Sequence, residues 1–184
     1  ALVSLTHVNR LTLPQSLTVA MTRDPVLEVL SRIKRGLSGY ISYLAACEMN
    51  ESFSEYILYE PTLRILTARR FKVQCEYPCP GFPKQGPGDF KKLDFVVSSN
   101  VAHFAIEMKW ARSSRLNVAS DLQKLHNYIQ ANNGARAFLC VFGRKSAIQG
   151  LNLKAKGLHE RGEPIYAEFG VTRYGCRNYE ATDG

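Results

Sequence analysis

Residues 93–110 read LDFVVSSNVAHFAIEMKW, and this stretch decides the predicted fold. It holds two apolar runs, Lys92 to Val97 and Val101 to Trp110, with the polar residues 98–100 between them. Short apolar runs separated by a few small polar residues are typical of two β-strands joined by a tight turn. We therefore expect an antiparallel hairpin.

The side-chain alternation of a strand predicts which residues share a face, since residues i and i+2 point the same way. In the second run one face carries Ala102, Phe104, Ile106, Met108 and Trp110. The opposite face carries His103, Ala105, Glu107 and Lys109. In the first run, one face is expected to carry Leu93, Phe95 and Val97. Asp94 falls on the other face, and the hairpin brings it near Glu107.

Asp94 is followed thirteen residues later by Glu107-Met108-Lys109, a set that suits metal-assisted hydrolysis of a phosphodiester. Two neighbouring carboxylates repel each other unless a cation lies between them, and Mg²⁺ is commonly held by one or two carboxylates. The lysine can orient or deprotonate the attacking water, or stabilise negative charge on the phosphate. The simpler alternative is a surface ion pair between Glu107 and Lys109. The nearly uncharged surroundings of Glu107 favour a site.

On these residues the segment resembles the core of the PD-(D/E)XK nuclease superfamily, which has the restriction-endonuclease-like fold. The resemblance covers about residues 50–143 and does not select a branch; Leu93 stands where the family's name has proline. It implies an α/β fold with a central mixed β-sheet flanked by helices, in the order α-β-β-β-α-β.

The resemblance also implies roles for individual residues. Asp94 and Glu107 would bind Mg²⁺ or Mn²⁺, the backbone carbonyl of Met108 would add a ligand, and Lys109 would position or activate the attacking water. The implied activity is hydrolysis of DNA, and we expect an endonuclease, although the residue types do not separate an endonuclease from an exonuclease. A non-catalytic module that binds nucleic acid or a protein partner on the same fold is the alternative.

The family's preceding helix carries a further metal-binding acid, for which Glu60 and Glu55 compete. Glu60 is slightly favoured because it shares a predicted core-facing stripe with Phe53, Tyr56 and Leu63. It would otherwise pair with Arg64 one turn later. Glu55 would otherwise belong to a capping box that begins at Ser52.

Four residues after the second strand are candidates for binding nucleic acid. Gln123 and Lys124 lie off the apolar stripe of the next predicted helix and resemble family residues that approach the site or a phosphate. The alternative for both is an exposed helix face. Arg112 and Arg115 lie in the loop before that helix and are expected to contact phosphates.

The net charge of +8 is unevenly distributed. Between Phe95 and His159 the only acids are Glu107 and Asp121. The same stretch has nine basic residues: Lys109, Arg112, Arg115, Lys124, Arg136, Arg144, Lys145, Lys154 and Lys156. A basic field around a few acids is typical of a protein that binds a polyanion. We expect DNA as the partner; RNA, a homodimer and a larger nuclease assembly stay open.

The length of 184 residues is typical of one domain, with residues 1–23 as an N-terminal arm. No apolar run is long enough for a membrane span, and the N-terminal stretch lacks a signal-peptide pattern. The five cysteines have no zinc-like spacing, so we expect free thiols, Cys140 in the core, and a cytoplasmic location.

The spacing of apolar residues, together with glycine, proline and capping residues, predicts the remaining helices and strands. The predicted helices are 25–49, divided at Gly36 and Gly39, then 52–70, 120–133 with a capping box at Ser120, and 146–158. The predicted strands outside the hairpin are 71–77, 135–143 and 164–172. Residues 78–90 form a proline- and glycine-rich loop.

Overall fold

The computed structural model describes residues 24–49, 53–82, 86, 91–153, 157–169 and 172–182. The predicted arm at 1–23, most of the loop at 83–90 and Ser52 lie outside these ranges. The helices are α1 (Pro25–Ala46), a 3₁₀ turn (Glu55–Leu58), α2 (Tyr59–Ala68), α3 (Ala119–Ala131) and α4 (Lys145–Gln149). The strands are β1 (Lys72–Pro78), β2 (Lys92–Ser98), β3 (His103–Ala111), β4 (Arg136–Arg144), β5 (Leu158–Glu160), β6 (Ile165–Phe169) and β7 (Thr172–Ala181).

The strands form one mixed sheet in the order β1-β2-β3-β4-β7-β5, with β6 also paired to β7. Only β3 and β4 among the described pairs run parallel, and α3 connects them. Helices flank the sheet, so the α/β class and the central mixed sheet are confirmed. The predicted order of helix, three strands, helix and strand is also observed.

The sheet has a hydrophobic core on each face. Helices α1 and α2 cover one face, which carries the buried Phe104, Ile106 and Met108 of β3. Helix α3 covers the other, where Ala105 packs near Leu125. The predicted alternation along β3 is therefore confirmed. The face of β3 that carries Glu107 is covered by α3 and is not exposed to solvent. The simpler interpretation of a surface ion pair between Glu107 and Lys109 is therefore wrong.

Helix α1 begins where the sequence predicts, because Asp24 caps it. The Asp24 carboxylate accepts hydrogen bonds from Val26 N at 2.9 Å and Leu27 N at 3.4 Å. The helix continues through both Gly36 and Gly39, so the predicted division is wrong. A continuous buried stripe on the helix offsets the poor helix propensity of glycine.

The other helix predictions need local corrections. Residues 55–58 form a 3₁₀ turn before α2, where one continuous helix was predicted. Ser120 lies inside α3 and does not cap it; instead Asn117 Oδ1 accepts from Ala119 N at 3.1 Å. Of the predicted helix at 146–158, residues 146–149 lie in α4, whereas the described residues 150–153 are not helical and bury Leu151 and Leu153.

The C-terminal strand β7 was not predicted, although it lies between β4 and the pair β5 and β6. Arg177 and Glu180 interrupt the apolar pattern expected of a central strand, and both pair with residues of other elements. Glu180 is only 7% exposed and forms ion pairs with Arg136 and Arg161. Arg177 pairs with Glu160 at 2.8 Å.

The five cysteines are free thiols, as predicted, and Cys140 is fully buried in the core. Among the described helices, none combines the length and the apolar character that crossing a membrane requires.

Two glycines give opposite predictions for stability. A Cβ on Gly143 would lie 2.4 Å from the backbone oxygen of Ala111 on the neighbouring strand, so Gly143→Ala should lower the free energy of unfolding by about 1–3 kcal/mol. A Cβ on Gly39, within α1, meets nothing within 4 Å, so Gly39→Ala should raise it by about 0.5–1 kcal/mol. Urea denaturation of both variants measures this. Equal effects of the same sign would contradict the described packing.

Candidate active site

The candidate site is at the point where β2 and β3 separate. Their antiparallel pairing runs from Ser98–His103 to Phe95–Ile106. Next to the last pair, Met108 N donates a hydrogen bond to Asp94 Oδ2 at 2.6 Å. Asp94 N donates in turn to Glu107 Oε1 at 3.2 Å. The two carboxylates thus accept the backbone hydrogen bonds that strand carbonyls accept elsewhere in the sheet, and the predicted proximity of Asp94 and Glu107 is confirmed.

The backbone is irregular at the same level of the sheet. Glu76 of β1 lies opposite Asp94 and has a left-handed φ of 52°, which costs a non-glycine residue roughly 1–2 kcal/mol. The side-chain alternation of β2 is interrupted there. Leu93 packs on the α3 face of the sheet, whereas Phe95 packs on the α1 face. The prediction that Leu93 shares a face with Phe95 and Val97 is therefore wrong.

Lysines from two elements neutralise the buried acids. Glu107 is 2% exposed and forms an ion pair with Lys124 of α3, whose ammonium also donates to the backbone oxygen of Lys92 at 2.9 Å. Asp121, in the first turn of α3, pairs with Lys109 at 3.1 Å and lies 3.8 Å from Lys124. Three carboxyl groups therefore share two ammonium groups, so ionisation of all three would leave an excess of negative charge.

The pKa values of these groups reflect burial and mutual repulsion. Burial, followed by the charge of Asp94, raises the pKa of Glu107 to about 8, although Lys124 opposes the shift. Burial also raises the pKa of Asp94, although hydrogen bonds from Tyr59 and from Met108 N oppose this. Burial lowers the pKa of Lys109, but Asp121 outweighs it and the net shift is upward. An additional cation would stabilise the ionised carboxylates.

The helical segment before the sheet contributes Tyr59 and Glu55. The Tyr59 hydroxyl donates to Asp94, and its ring packs 5.0 Å from that of Phe95. Glu55 Oε1 accepts a hydrogen bond from Trp110 N at 3.0 Å, two residues beyond the bond that Asp94 accepts from Met108. Glu55 is therefore bound to the separated edge of β3.

Glu60 is not brought to the site. Its side chain is 65% exposed and forms an ion pair with Arg64, as in the simpler alternative. The prediction that Glu60 shares a core-facing stripe with Tyr56 is wrong, since Tyr56 is also largely exposed. The 3₁₀ turn has three residues per turn, which shifts the helical phase assumed for a continuous α-helix.

The four residues predicted to bind nucleic acid have different surroundings. Lys124 is in the site, and its side chain is only 12% exposed. Gln123 is on the exposed side of α3, where its amide donates to Asn127 Oδ1 at 2.8 Å. Arg112 and Arg115 are exposed between β3 and α3. The structure thus brings Lys124 to the carboxylates and leaves the other three at the surface.

Sequence reasoning missed Asp121 and Tyr59. Asp121 had a usable signal, because an acid three residues before Lys124 lies on the same side of a helix. Tyr59 had none, since its approach to Asp94 depends on the 3₁₀ turn that rotates it toward the sheet.

The donor set bears directly on metal binding. In the part of the chain that the structure describes, no three His, Cys, Asp or Glu side chains form a ready metal-binding group. The oxygens that this part of the sheet offers to a hard divalent cation are those of Asp94 and Glu107 and backbone carbonyls, beside any water or phosphate oxygens. Mg²⁺ accepts such a set, and the excess of carboxyl groups over lysines favours it. The residues present fit the ion, with Lys124 now neutralising Glu107.

Comparisons of the chain with protein-family models, with curated proteins and with solved structures found no match. The site combines two adjacent buried carboxylates with two lysines. Such a group can bind a cation, orient a water molecule and stabilise negative charge on a bound anion.

Tyr59→Phe tests whether the Tyr59 hydroxyl holds Asp94 in place. The variant should lower the free energy of unfolding by about 1.5–3 kcal/mol, because Asp94 loses a hydrogen bond to a charged group. Tyr56→Phe is the matched control, since the Tyr56 side chain is largely exposed on the 3₁₀ turn just before Tyr59, and it should change stability by less than about 0.5 kcal/mol. Equal stability of the two variants in urea denaturation would exclude this role for Tyr59.

Proposed function

We propose that the chain is a Mg²⁺- or Mn²⁺-dependent nuclease that hydrolyses DNA phosphodiester bonds, as an endonuclease, on a restriction-endonuclease-like core. One observation carries the proposal. Where β2 and β3 separate, the carboxylates of Asp94 and Glu107 accept hydrogen bonds from the backbone N–H groups of Met108 and Asp94. Lys109 lies two residues after Glu107 on the same face of β3. The order of elements around them supports it.

The residues that would hold the ion are Asp94, Glu107 and the backbone carbonyl of Met108. Glu55 accepts a hydrogen bond from Trp110 N of β3, so it replaces Glu60 as the candidate acid from the helical segment. When bound, the cation would acidify a water molecule and stabilise negative charge on the phosphate. The excess of carboxylates over lysines supports this assignment.

Lys109 would act as a charged hydrogen-bond donor. Its raised pKa keeps the amine protonated, and its side chain, 27% exposed, remains accessible to a substrate. As an ammonium it would orient the attacking water and stabilise charge on the phosphate. Asp121 would hold it in position. Lys124 would add positive charge near the same phosphate, and Arg112 and Arg115 would contact other phosphates of the DNA backbone.

A second candidate function is a non-catalytic module that binds nucleic acid. The pairing of the lysines favours it, because Lys109 is bound to Asp121 and Lys124 to Glu107 within the protein itself. A buried charge network with its own counter-ions is stable without a metal. On this interpretation the basic surface binds DNA and the carboxylates only maintain the sheet.

Metal-dependent cleavage distinguishes the two functions. Supercoiled plasmid, linear duplex and single-stranded DNA are incubated with Mg²⁺ or Mn²⁺ and the wild type, Asp94→Asn, Glu107→Gln or Lys109→Met. We expect cleavage by the wild type and a loss of about 100-fold or more in each variant, since each removes a ligand or the charge that stabilises the transition state. Glu60→Gln, an equally conservative change at an exposed carboxylate, should cleave normally.

Thermal unfolding supplies a readout that is independent of activity. Mn²⁺ at 100 times its dissociation constant should stabilise the wild type and Glu60→Gln by about 2.7 kcal/mol. The stabilisation should be lost in Asp94→Asn. No cleavage by the wild type, together with the same Mn²⁺ effect in Asp94→Asn, would reject the nuclease and support the binding module.

A further inference from the structure

A small pocket lies at the end of the sheet beside the candidate site. Its volume is about 200 Å³. It is lined by Phe53, Trp110, Ala111, Arg112, Arg144 and Tyr174. Four of these residues come from the C-terminal ends of the parallel strands β3 and β4 or directly follow β3. Drug-sized ligands occupy pockets of roughly 300–1,000 Å³, so this pocket suits a single ring system.

Three aromatic side chains form one wall of the pocket. The ring of Phe53 lies 5.6 Å from that of Trp110 and 5.4 Å from that of Tyr174, both edge to face. The Trp110 and Tyr174 rings are 5.9 Å apart. Tyr174 is buried, whereas Phe53 and Trp110 are half-buried and present aromatic surface at the opening. Such surfaces stack on nucleobases without sequence preference.

Two arginines supply positive charge at the same opening. Arg112 and Arg144 are exposed, and in the described ranges neither forms an ion pair with a carboxylate. Arg136, Arg161 and Arg177, in contrast, are each paired with an acid. Guanidinium groups bind phosphate by bidentate hydrogen bonds. Aromatic rings beside unpaired arginines therefore match a nucleotide, with its base on the rings and its phosphates on the arginines.

The position of the pocket relates it to the scissile phosphate. Trp110 directly follows Lys109, but their side chains lie on opposite faces of β3. Beyond Ile106, β3 is separated from β2, and its backbone donates to Asp94 and Glu55 instead. Lys109 and Trp110 therefore lie next to each other along β3, on its two faces and at the same end of the sheet.

We propose that the pocket binds the unpaired base of a nucleotide next to the scissile phosphate, with Arg112 and Arg144 holding its phosphates. The proposal rests on the proposed nuclease function for this placement, and it defines the substrate class as single-stranded DNA or an unpaired region of a duplex. A base inside a duplex is stacked and paired, so it cannot enter a pocket of this size.

Binding can be measured separately from cleavage, because EDTA removes the metal. Trp110 is the only tryptophan of the chain, so tryptophan fluorescence reports on this pocket. The protein is titrated in EDTA with a short single-stranded oligonucleotide, while tryptophan fluorescence and the anisotropy of a labelled oligonucleotide are followed. The wild type should show saturable quenching of Trp110. Arg112→Gln and Arg144→Gln should each weaken binding about 10-fold, as expected for loss of one charged phosphate contact.

Two further variants complete the test. Arg35→Gln removes one charge from an exposed arginine of α1 that does not line the pocket, and it should bind like the wild type within about twofold. Trp110→Leu, followed by anisotropy, should weaken single-strand binding by about 10-fold or more through the loss of stacking. The arginine variants keep the test valid if Trp110→Leu does not fold.

Quenching by a blunt duplex as strong as by the single strand would overturn the proposal, as would unchanged affinity in both pocket arginine variants. The outcome is separable from that of the nuclease proposal. Metal-dependent cleavage without quenching of Trp110 rejects only the pocket. Quenching with the expected arginine dependence, but without cleavage in any metal, rejects the nuclease and supports the pocket as a binding site.

Discussion

The arrangement of the site depends on two hydrogen bonds, from Met108 N to the Asp94 carboxylate and from Asp94 N to the Glu107 carboxylate. Where β2 and β3 separate, the N–H groups of Met108 and Asp94 would be buried without acceptors, at about 1–3 kcal/mol each. Carboxylates satisfy them, but this brings two buried anions together. Their repulsion requires cations, and α3 supplies Lys124 while Asp121 holds Lys109. The same groups that complete the sheet thus form a site with more carboxyl groups than lysines.

The sequence was sufficient to predict side-chain positions where the chain follows the regular alternation of a β-strand. Alternation along β3 separated Glu107 and Lys109 from Ile106 and Met108, because both faces of a central strand are fixed by the pleat. The short polar turn fixed the hairpin and with it the proximity of Asp94 and Glu107. The order of helices and strands followed from the same patterns, whereas the central mixed sheet was implied by the family resemblance. The nuclease activity and the metal remain proposals.

Sequence reasoning was wrong where the backbone departs from the regular strand or helix period. It also failed where contacts with distant residues determine the position of a side chain. The alternation of β2 is interrupted between Leu93 and Phe95, at the level of the left-handed Glu76 of β1, and no residue there is a glycine that would have marked the irregularity. The 3₁₀ turn changed the helical phase and brought Glu55 to β3 in place of Glu60. The role of Asp121 depends on how α3 lies over β3. Strand β7 was hidden because its charged residues are satisfied by distant partners.

The carboxyl pKa of Glu107, measured by ¹³C NMR with and without Mg²⁺, tests the central claim most directly. Without a divalent cation, burial and Asp94 should place that pKa at about 8, against an ordinary value of 4.5. Mg²⁺ should lower it, because a bound cation stabilises the carboxylate, and Asp94→Asn should abolish the effect of Mg²⁺. A Glu107 pKa near 4.5 that does not respond to Mg²⁺ would show that the two acids are neither strongly coupled nor the ligands of a cation.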